Sequence, residues 1–388
     1  MGKFDSTMYA ALWSKEGRAI QSLILNDPNR IPQYYTFWRG KFAIDPVTTP
    51  TAPDGTAAFV IRQRQIETGV LMDMRAPLAD GTPMEKGNAA QYSGVIPDFI
   101  GKVYIEKALE REYREQLFEQ VGEDNISLAA YTMDFLQANI NSANMTLSHM
   151  AAQMLSTGVV NYKQGEGIQA GIVKAAIPAA NFLDAGGTVW SDTANFKFLD
   201  WGRDIVKKLN DHYGKEINWQ VEIPKDVWTN YILKNAQVIE QIRFIYNVNG
   251  VLLPSTAQMT EDMAMTAISK WEGMPNIAIV EEKQKDITNG IVSGWAPNVV
   301  VVRPSGMAGL VMHTTNLDSQ LSKYQNNLIS AVYTPALGGL MTIENAVVPN
   351  GIYKEWHAKA MMQAVPVLDE FLYHFIVKTN VAGTAYNF

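Results

Sequence analysis

The stretch AFVIRQRQIETGVLMDM, Ala58 to Met74, decides the fold of this chain. Phe59-Val60-Ile61 followed by Arg62-Gln63-Arg64-Gln65-Ile66, and then Thr68-Gly69-Val70-Leu71-Met72, predict a two-stranded ribbon turning near Glu67 to Gly69. A lone two-stranded ribbon is marginal in water, and its neighbours in sequence offer it no cover. Met1 to Gly101 hold eight of the 17 prolines (Pro28, Pro32, Pro46, Pro50, Pro53, Pro77, Pro83, Pro97) and an aromatic run of Tyr34, Tyr35, Phe37, Trp38 and Phe42. A segment of that length without periodic elements is rare inside a compact domain, yet it is too aromatic and β-branched for a disordered tail. The economical cover for its surface is a second copy of the same chain, with Trp13, Leu23, Trp38, Ile61 and Val70 as candidate contact residues.

Composition sets the outer bounds. The 388 residues allow two or three domains, and 47% hydrophobic against 18% charged residues describes a globular chain with more surface than usual open to protein contact. The formal net charge of -7, from 39 acidic and 32 basic side chains, argues against a protein that holds nucleic acid by charge. It does not exclude an acidic inner wall that tolerates DNA. With no cysteine there is no disulfide, thiolate chemistry or cysteine-ligated metal. The first residues carry acidic groups and no continuous apolar core, unlike a signal peptide. No apolar run reaches the roughly 18 residues of a membrane span. These features place the chain in the cytoplasm when it is made.

Periodicity organises the rest. Met8, Leu12, Trp13, Ile20, Leu23 and Ile24 share one stripe, predicting a short amphipathic helix from Met8 to Leu25 that Asp27-Pro28 stops. Lys102 to Glu119 is dense in alternating charge at helical spacing. A second helix is expected from a Ser127 cap to about Leu155, roughly 40 Å long, ended by Ser156-Thr157-Gly158. Its buried face would be Leu128, Tyr131, Phe135, Leu136, Ile140, Leu147, Met150 and Met154. Val159 to Trp190 reads as strands with glycine turns, then come a helix from Asn195 to Tyr213, the strand Trp219 to Ile223 and a helix from Val227 to Asn235. Met259 to Lys270 is helical, Asn276 to Glu281 a strand, and Asn298 to Val302 a strand buried on both faces by its four valines. Leu340 to Ile343 and Ala346 to Val348 read as strands with a turn at Pro349-Asn350-Gly351. The alternation specifies an α+β or α/β body.

No constellation for chemistry stands out. The five histidines, His149, His212, His313, His357 and His374, are scattered and none has a partner at metal-ligand spacing. His313 could sit at a strand end near a pocket. The glycine run Gly165, Gly167 and Gly171 is one residue too long for a dinucleotide loop, and Glu166 would oppose a pyrophosphate. Glu106, Glu110, Glu112, Glu115 and Glu119, interleaved with Lys107, Arg111 and Arg114, make a solvated salt-bridged face rather than paired catalytic acids.

Several blocks, taken in order, carry a resemblance. They are the ribbon Phe59 to Met72 with Arg75-Ala76-Pro77 and Gly81-Thr82-Pro83 after it, Ile96-Pro97, and the charged helix with the helix ending at Thr157-Gly158. They continue with Val189-Trp190-Ser191-Asp192, Val221 to Trp228 with Leu233-Lys234-Asn235, and Pro297 to Gly306 with Gly309. Glu355-Trp356 and Ala364 to Leu368 close the series. This order resembles the major capsid proteins of tailed bacteriophages, in the lambda-like branch of the HK97-like shell fold. The similarity spans roughly residues 55 to 378, with Val238 to Gly290 matching only in outline.

The resemblance implies an α+β fold with an N-terminal arm (1-51) and an extended loop (52-97). It further implies a peripheral domain with a long spine helix (98-190), an axial domain (191-335) and closing strands (336-388) that return to the peripheral domain. It implies a structural protein, not an enzyme, without cofactor or metal, that assembles as hexamers and pentamers into an icosahedral virion shell around double-stranded DNA. Portal, a separate scaffold and decoration proteins would be its partners, with assembly in the host cytoplasm and no membrane contact. Some shells of this fold cross-link a loop lysine to a neighbour, and Lys86 is the sole lysine of this loop. An encapsulin-like compartment is the nearest alternative, and an oligomeric α/β enzyme a more distant one.

Overall fold

The structure, a computed structural model, describes residues 33–52, 56–64, 89–104, 125–162, 171–248, 259–286, 290–314, 331–336, 340–350 and 353–383. The expected helix at 8–25, the contact candidates Trp13, Leu23, Val70 and Lys86, the charged run at 106–119 and the glycine-rich turn at 163–170 lie outside them.

A 3-10 segment, Gln33–Gly40, leads into β1 (Phe42–Ile44). β2 (Ala58–Arg64) pairs antiparallel with β3 (Ala89–Val95), and β4 (Asp98–Tyr104) follows Pro97. α1 (Asn125–Thr157) runs for 33 residues, about 50 Å. β5 (Val159–Tyr162) and β6 (Gly171–Lys174) form a small antiparallel pair, and β7 (Phe182–Asp184) opens a stretch that mixes helix and strand. It comprises α2 (Phe198–Tyr213), β8 (Trp219–Pro224), a short helical stretch Lys225–Val227 running into the π-turn Trp228–Ile232, α3 (Ala236–Val248), α4 (Glu261–Ser269) and β9 (Asn276–Val280). The remaining strands are β10 (Gln284–Asp286), β11 (Gly290–Val292), β12 (Val299–Pro304), β13 (Gly309–His313) and β14 (Ala331–Ala336). β15 (Met341–Asn350), β16 (Tyr353–Leu368) and β17 (Phe375–Lys378) complete them.

Two main sheets result. The first has the order β1-β13-β16-β15-β14, and its axis is the 16-residue β16. β15 pairs along one flank of β16, while β4 and then β13 succeed one another along the other. The second sheet has the order β7-β17-β12-β8-β9, antiparallel at its centre and parallel at both margins.

β12 explains how the sheets share the molecule. Val299 and Val301 join one hydrophobic core with α1 and β16, whereas Val300 and Val302 join a second core with α2, α3 and α4. Successive strand side chains point to opposite faces, so a strand between two cores is apolar at every position. Phe375, Ile376 and Val377 of β17 repeat the pattern, with Ile376 alone facing the first core. The four-valine run is thus buried on both faces, as its composition predicts.

α1 also follows from its sequence. Ile140, Leu147, Met150 and Met154 are fully buried, and Gly158, with a φ of 70°, ends the helix in the left-handed conformation while its N–H donates to the Met154 carbonyl at 2.9 Å. A side chain at Gly158 would be strained in that conformation, and its Cβ would lie 2.6 Å from Ile177 Cδ1. On the same helix the buried polar residues Asn144 and Ser148, one turn apart, receive Trp38: its indole N–H donates to Asn144 Oδ1 at 3.0 Å and its backbone N–H to Ser148 Oγ at 3.5 Å.

Several expectations are corrected. The partner of residues 58–64 is 89–95, not 68–72. Trp38 and Ile61, expected to face a neighbour, are buried within the protomer, as are Phe42, Phe59, Tyr92 and Ile96. The described part of the first hundred residues therefore shares the core of the body. Lys102 belongs to β4 rather than to a charged helix, because residues 98–104 fill the flank of β16. The strands read at 340–343 and 346–348 are one, β15, paired with β16 over ten consecutive positions.

The expected domain limits shift as well. The chain re-enters the first sheet at β13, well before residue 335, and β17 joins the second sheet instead of the peripheral body. β13 follows β12 after a short turn and pairs with β16, whereas β17 pairs with β12 itself, so the sheets divide the chain by strand pairing rather than by sequence order.

Candidate interaction surface and lobe junction

The ribbon is anchored by one face. Phe59 and Ile61 point into the first core opposite Gly94 and Tyr92. Phe59 meets Tyr92 edge to face at 6.3 Å, and Tyr92 meets Phe371 likewise at 5.2 Å. The Tyr92 hydroxyl donates to the Leu368 carbonyl at 2.7 Å, and burial pushes that phenol far above its ordinary pKa. Gln63 Oε1 accepts the Leu372 N–H at 2.7 Å. Gly94 leaves room for the Phe59 ring, because a Cβ there would lie 2.8 Å from it and push it aside.

Among the described residues, the opposite face is exposed. Strand alternation turns Ala58, Val60 and Arg62 outward beside Gln91, Ser93 and Val95, and the two valines are 53% and 46% exposed. Arg62 Nε donates to Gln91 Oε1 across the pair at 3.2 Å. Among the described residues, β2 and β3 pair only with each other, and β6 lies beside β3, with Val173 Cγ1 3.5 Å from where a Cβ on Gly94 would sit. Sequence reasoning placed a contact surface on this ribbon but chose Ile61 where Val60 is the exposed side chain. The β2 alternation separates Val60 from its neighbours Phe59 and Ile61, but only knowledge of which face meets the core decides between them.

A second focus lies where the chain crosses between the cores. Glu222 of β8 is completely buried, and its Oε1 accepts from Arg303 Nη2 at 2.7 Å, Arg303 Nε at 3.2 Å, Lys41 Nζ at 2.5 Å and Gln220 Nε2 at 3.1 Å. Burial would raise the carboxyl, but the Arg303 guanidinium and the Lys41 ammonium prevail and hold it below the usual range. Arg303 Nη1 donates to the carbonyls of Pro304 and Gly306, bracing the turn from β12 to β13. The backbone of Lys41 grips the same turn, its carbonyl accepting the Ala308 N–H at 2.6 Å.

His313 and His374 hold structure together. His313 ends β13 as its sequence suggests, and its Nε2 meets the Asp45 carbonyl at 2.9 Å, stitching the N-terminal segment down. His374 is fully buried with Nε2 at 2.7 Å from the Leu155 carbonyl, and burial lowers its pKa to about 4. His149 lies 3.9 Å from Glu282 with its side chain partly exposed. Among the described residues no group of three or more His, Asp or Glu side chains could hold a metal ion, and no helix is long and apolar enough to cross a membrane.

No family model and no curated protein matches the chain. Solved structures are similar to it in outline. A protein described as the capsid protein of an E. coli CFT073 prophage matches at 14% identity, covering 90% of this chain and 93% of that one, with a TM-score of 0.48. A phage-related protein of Bordetella bronchiseptica RB50 matches at 15% identity over 93% and 96% of the two chains, with a TM-score of 0.48. The capsid of Myoviridae phage XM1 matches at 12% identity over 88% and 91%, with a TM-score of 0.39.

Proposed function

We propose that this chain is a major capsid protein of the HK97-like kind, the shell-forming subunit of a tailed-phage virion. The observation that carries the reading is the β2–β3 ribbon. Among the described residues its inner face is locked into the protomer, while its outer face presents Val60 and Val95 and its two strands pair only with each other. Exposed apolar strand surface of this kind is suited to packing against another chain. The ordered resemblance of the sequence blocks supplies the nature of that other chain, a second copy in a hexamer or pentamer. The 33-residue α1 and the two-core α+β body agree with the spine helix and the peripheral and axial parts that the resemblance implies. In this reading the shell encloses double-stranded DNA, and scaffold, portal and decoration proteins join it in the host cytoplasm. The net charge of -7 fits a shell that does not grip packaged phosphates.

The test is co-expression with the neighbouring phage genes, followed by negative-stain electron microscopy. Wild type should yield closed shells. The double variant Val60→Asp and Val95→Asp should yield soluble protein with an unchanged circular dichroism spectrum and no shells, because charges on the outer face block a neighbour and leave the core intact. Small oligomers alone from wild type would overturn the shell reading, shells purified with protein cargo and no DNA would favour a compartment, and shells from the double variant would remove the ribbon's outer face from the interface.

A further inference from the structure

The crossing between the two cores contains one cation more than the second sheet needs. Arg303 and Glu222 already balance one another, with side chains 3% and 0% exposed and two N–H groups of the guanidinium on one carboxylate oxygen. Lys41 brings a second cation to that same oxygen from a different part of the chain, and its side chain is 15% exposed. An ammonium that reaches water can leave at modest cost, whereas the buried pair cannot separate without stranding a charge.

Residue 41 is also where the N-terminal segment branches. Before it, Trp38 is held by Asn144 and Ser148 of α1. Its own backbone receives the Ala308 N–H in the turn from β12 to β13. After it, β1 runs parallel to β13, Asp45 donates its N–H to the Val311 carbonyl at 3.1 Å, and Thr49 donates to His313 at 2.8 Å. The segment therefore lies on the first core along its length. Among the described residues, the Lys41 side chain gives it a charged hold on the second sheet.

We infer that Lys41 is a latch, a removable contact that ties the seating of residues 36–51 to the second sheet without being needed by that sheet. The sheet keeps its own ion pair when the latch opens. The N-terminal segment loses its tie across the crossing. The inference stands apart from the shell reading, since it concerns the protomer alone.

Hydrogen-exchange mass spectrometry on the full-length chain tests it, with Lys41→Met, Lys41→Arg and a salt series on wild type. In Lys41→Met, exchange over residues 42–49 and at Ala308 should rise about tenfold, the change expected for one lost charge-assisted hydrogen bond, while β8 and β12 keep their protection. Lys41→Arg should restore most of it. Raising salt from about 0.05 M to about 1 M on wild type should move residues 42–49 in the same direction, since a partly exposed pair is screened. Unchanged exchange in Lys41→Met would overturn the inference. An equal rise across β8 and β12 would also overturn it, by making Lys41 part of the sheet's own support. Because the salt series uses native protein, it decides the matter even if Lys41→Met fails to fold, and insensitivity of residues 42–49 to salt would count against the latch.

Discussion

The two cores are assembled in opposite ways. The second draws on Leu183 to Ile268, Val300, Val302 and the three residues Tyr373, Phe375 and Val377, so most of it comes from one continuous stretch. The first gathers Trp38, Phe59, Tyr92, Ile140, Trp295, Met341 and Phe371, pieces from nearly the whole described length. A core built from a contiguous stretch is announced by local periodicity. A core built from distant pieces depends on which strand finds which partner, and no single window of sequence holds that information. The difference predicts two kinds of tolerance: damage to the second core should spread through one compact unit, while damage to the first should stay near the piece that was changed.

The most severe challenge to this contrast is Trp228→Ala. Trp228 is fully buried in the second core, near the start of the stretch that links β8 to α3. Its truncation should cost about 3–5 kcal/mol. Urea denaturation would measure the loss, and hydrogen exchange should show α2, β8 and α3 opening together. Loosening confined to residues 225–235 would contradict the view of the second core as one unit.

His374 joins the two cores, since it lies between Phe371 and Phe375 and donates to Leu155 of α1. Burial lowers its pKa from 6.5 to about 4, so the folded chain holds it neutral where the unfolded chain binds a proton. Stability is therefore full above about pH 6.5 and is lost progressively as pH falls toward 4, by roughly 3 kcal/mol from this group. In His374→Gln, whose amide can still donate to the Leu155 carbonyl, the drop in urea midpoint between pH 7 and pH 4.5 should be smaller than in wild type. An identical drop would assign the acid sensitivity to other groups.

The smallest effect is expected at the ribbon root. Gly94→Ala sets a Cβ 2.8 Å from the Phe59 ring and should cost about 1 kcal/mol by overpacking. Faster exchange should stay within residues 58–64 and 89–95. Spread of that opening into α2 or β8 would erase the distinction between a dispersed core and a contiguous one.

Much of the body is legible in the amino-acid sequence. Thr157-Gly158 ends α1 as a helix C-terminus should, the four valines of β12 declare two buried faces, and the helix, strand and helix around Trp219 lie close to their expected places. The ribbon is half legible. Phe59-Val60-Ile61 is β-branched and aromatic and reads as a strand, but Ala89-Ala90-Gln91-Tyr92-Ser93-Gly94-Val95 is rich in small residues and carries little strand signal. Local turn chemistry at Thr68-Gly69 therefore draws the expected pairing toward residues 68–72. What selects β3 instead is long-range: Gly94 admits the Phe59 ring and Tyr92 reaches the Leu368 carbonyl. Glu222, Arg303 and Lys41 carry no mark in the sequence, because 81 and 181 residues separate the partners.

Local sequence dictates the elements and the apolar faces they must bury, since periods of two and 3.6 are properties of neighbouring residues. It also marks the ribbon as apolar surface to be covered, and one face of that surface is covered by the protomer's own first core. The folded arrangement selects which face of that ribbon is surplus, which core each valine of β12 enters, and which charges meet at the crossing. Those outcomes depend on complementarity between segments far apart in the chain, where shape and unpaired polar groups choose among partners that local pattern leaves equivalent.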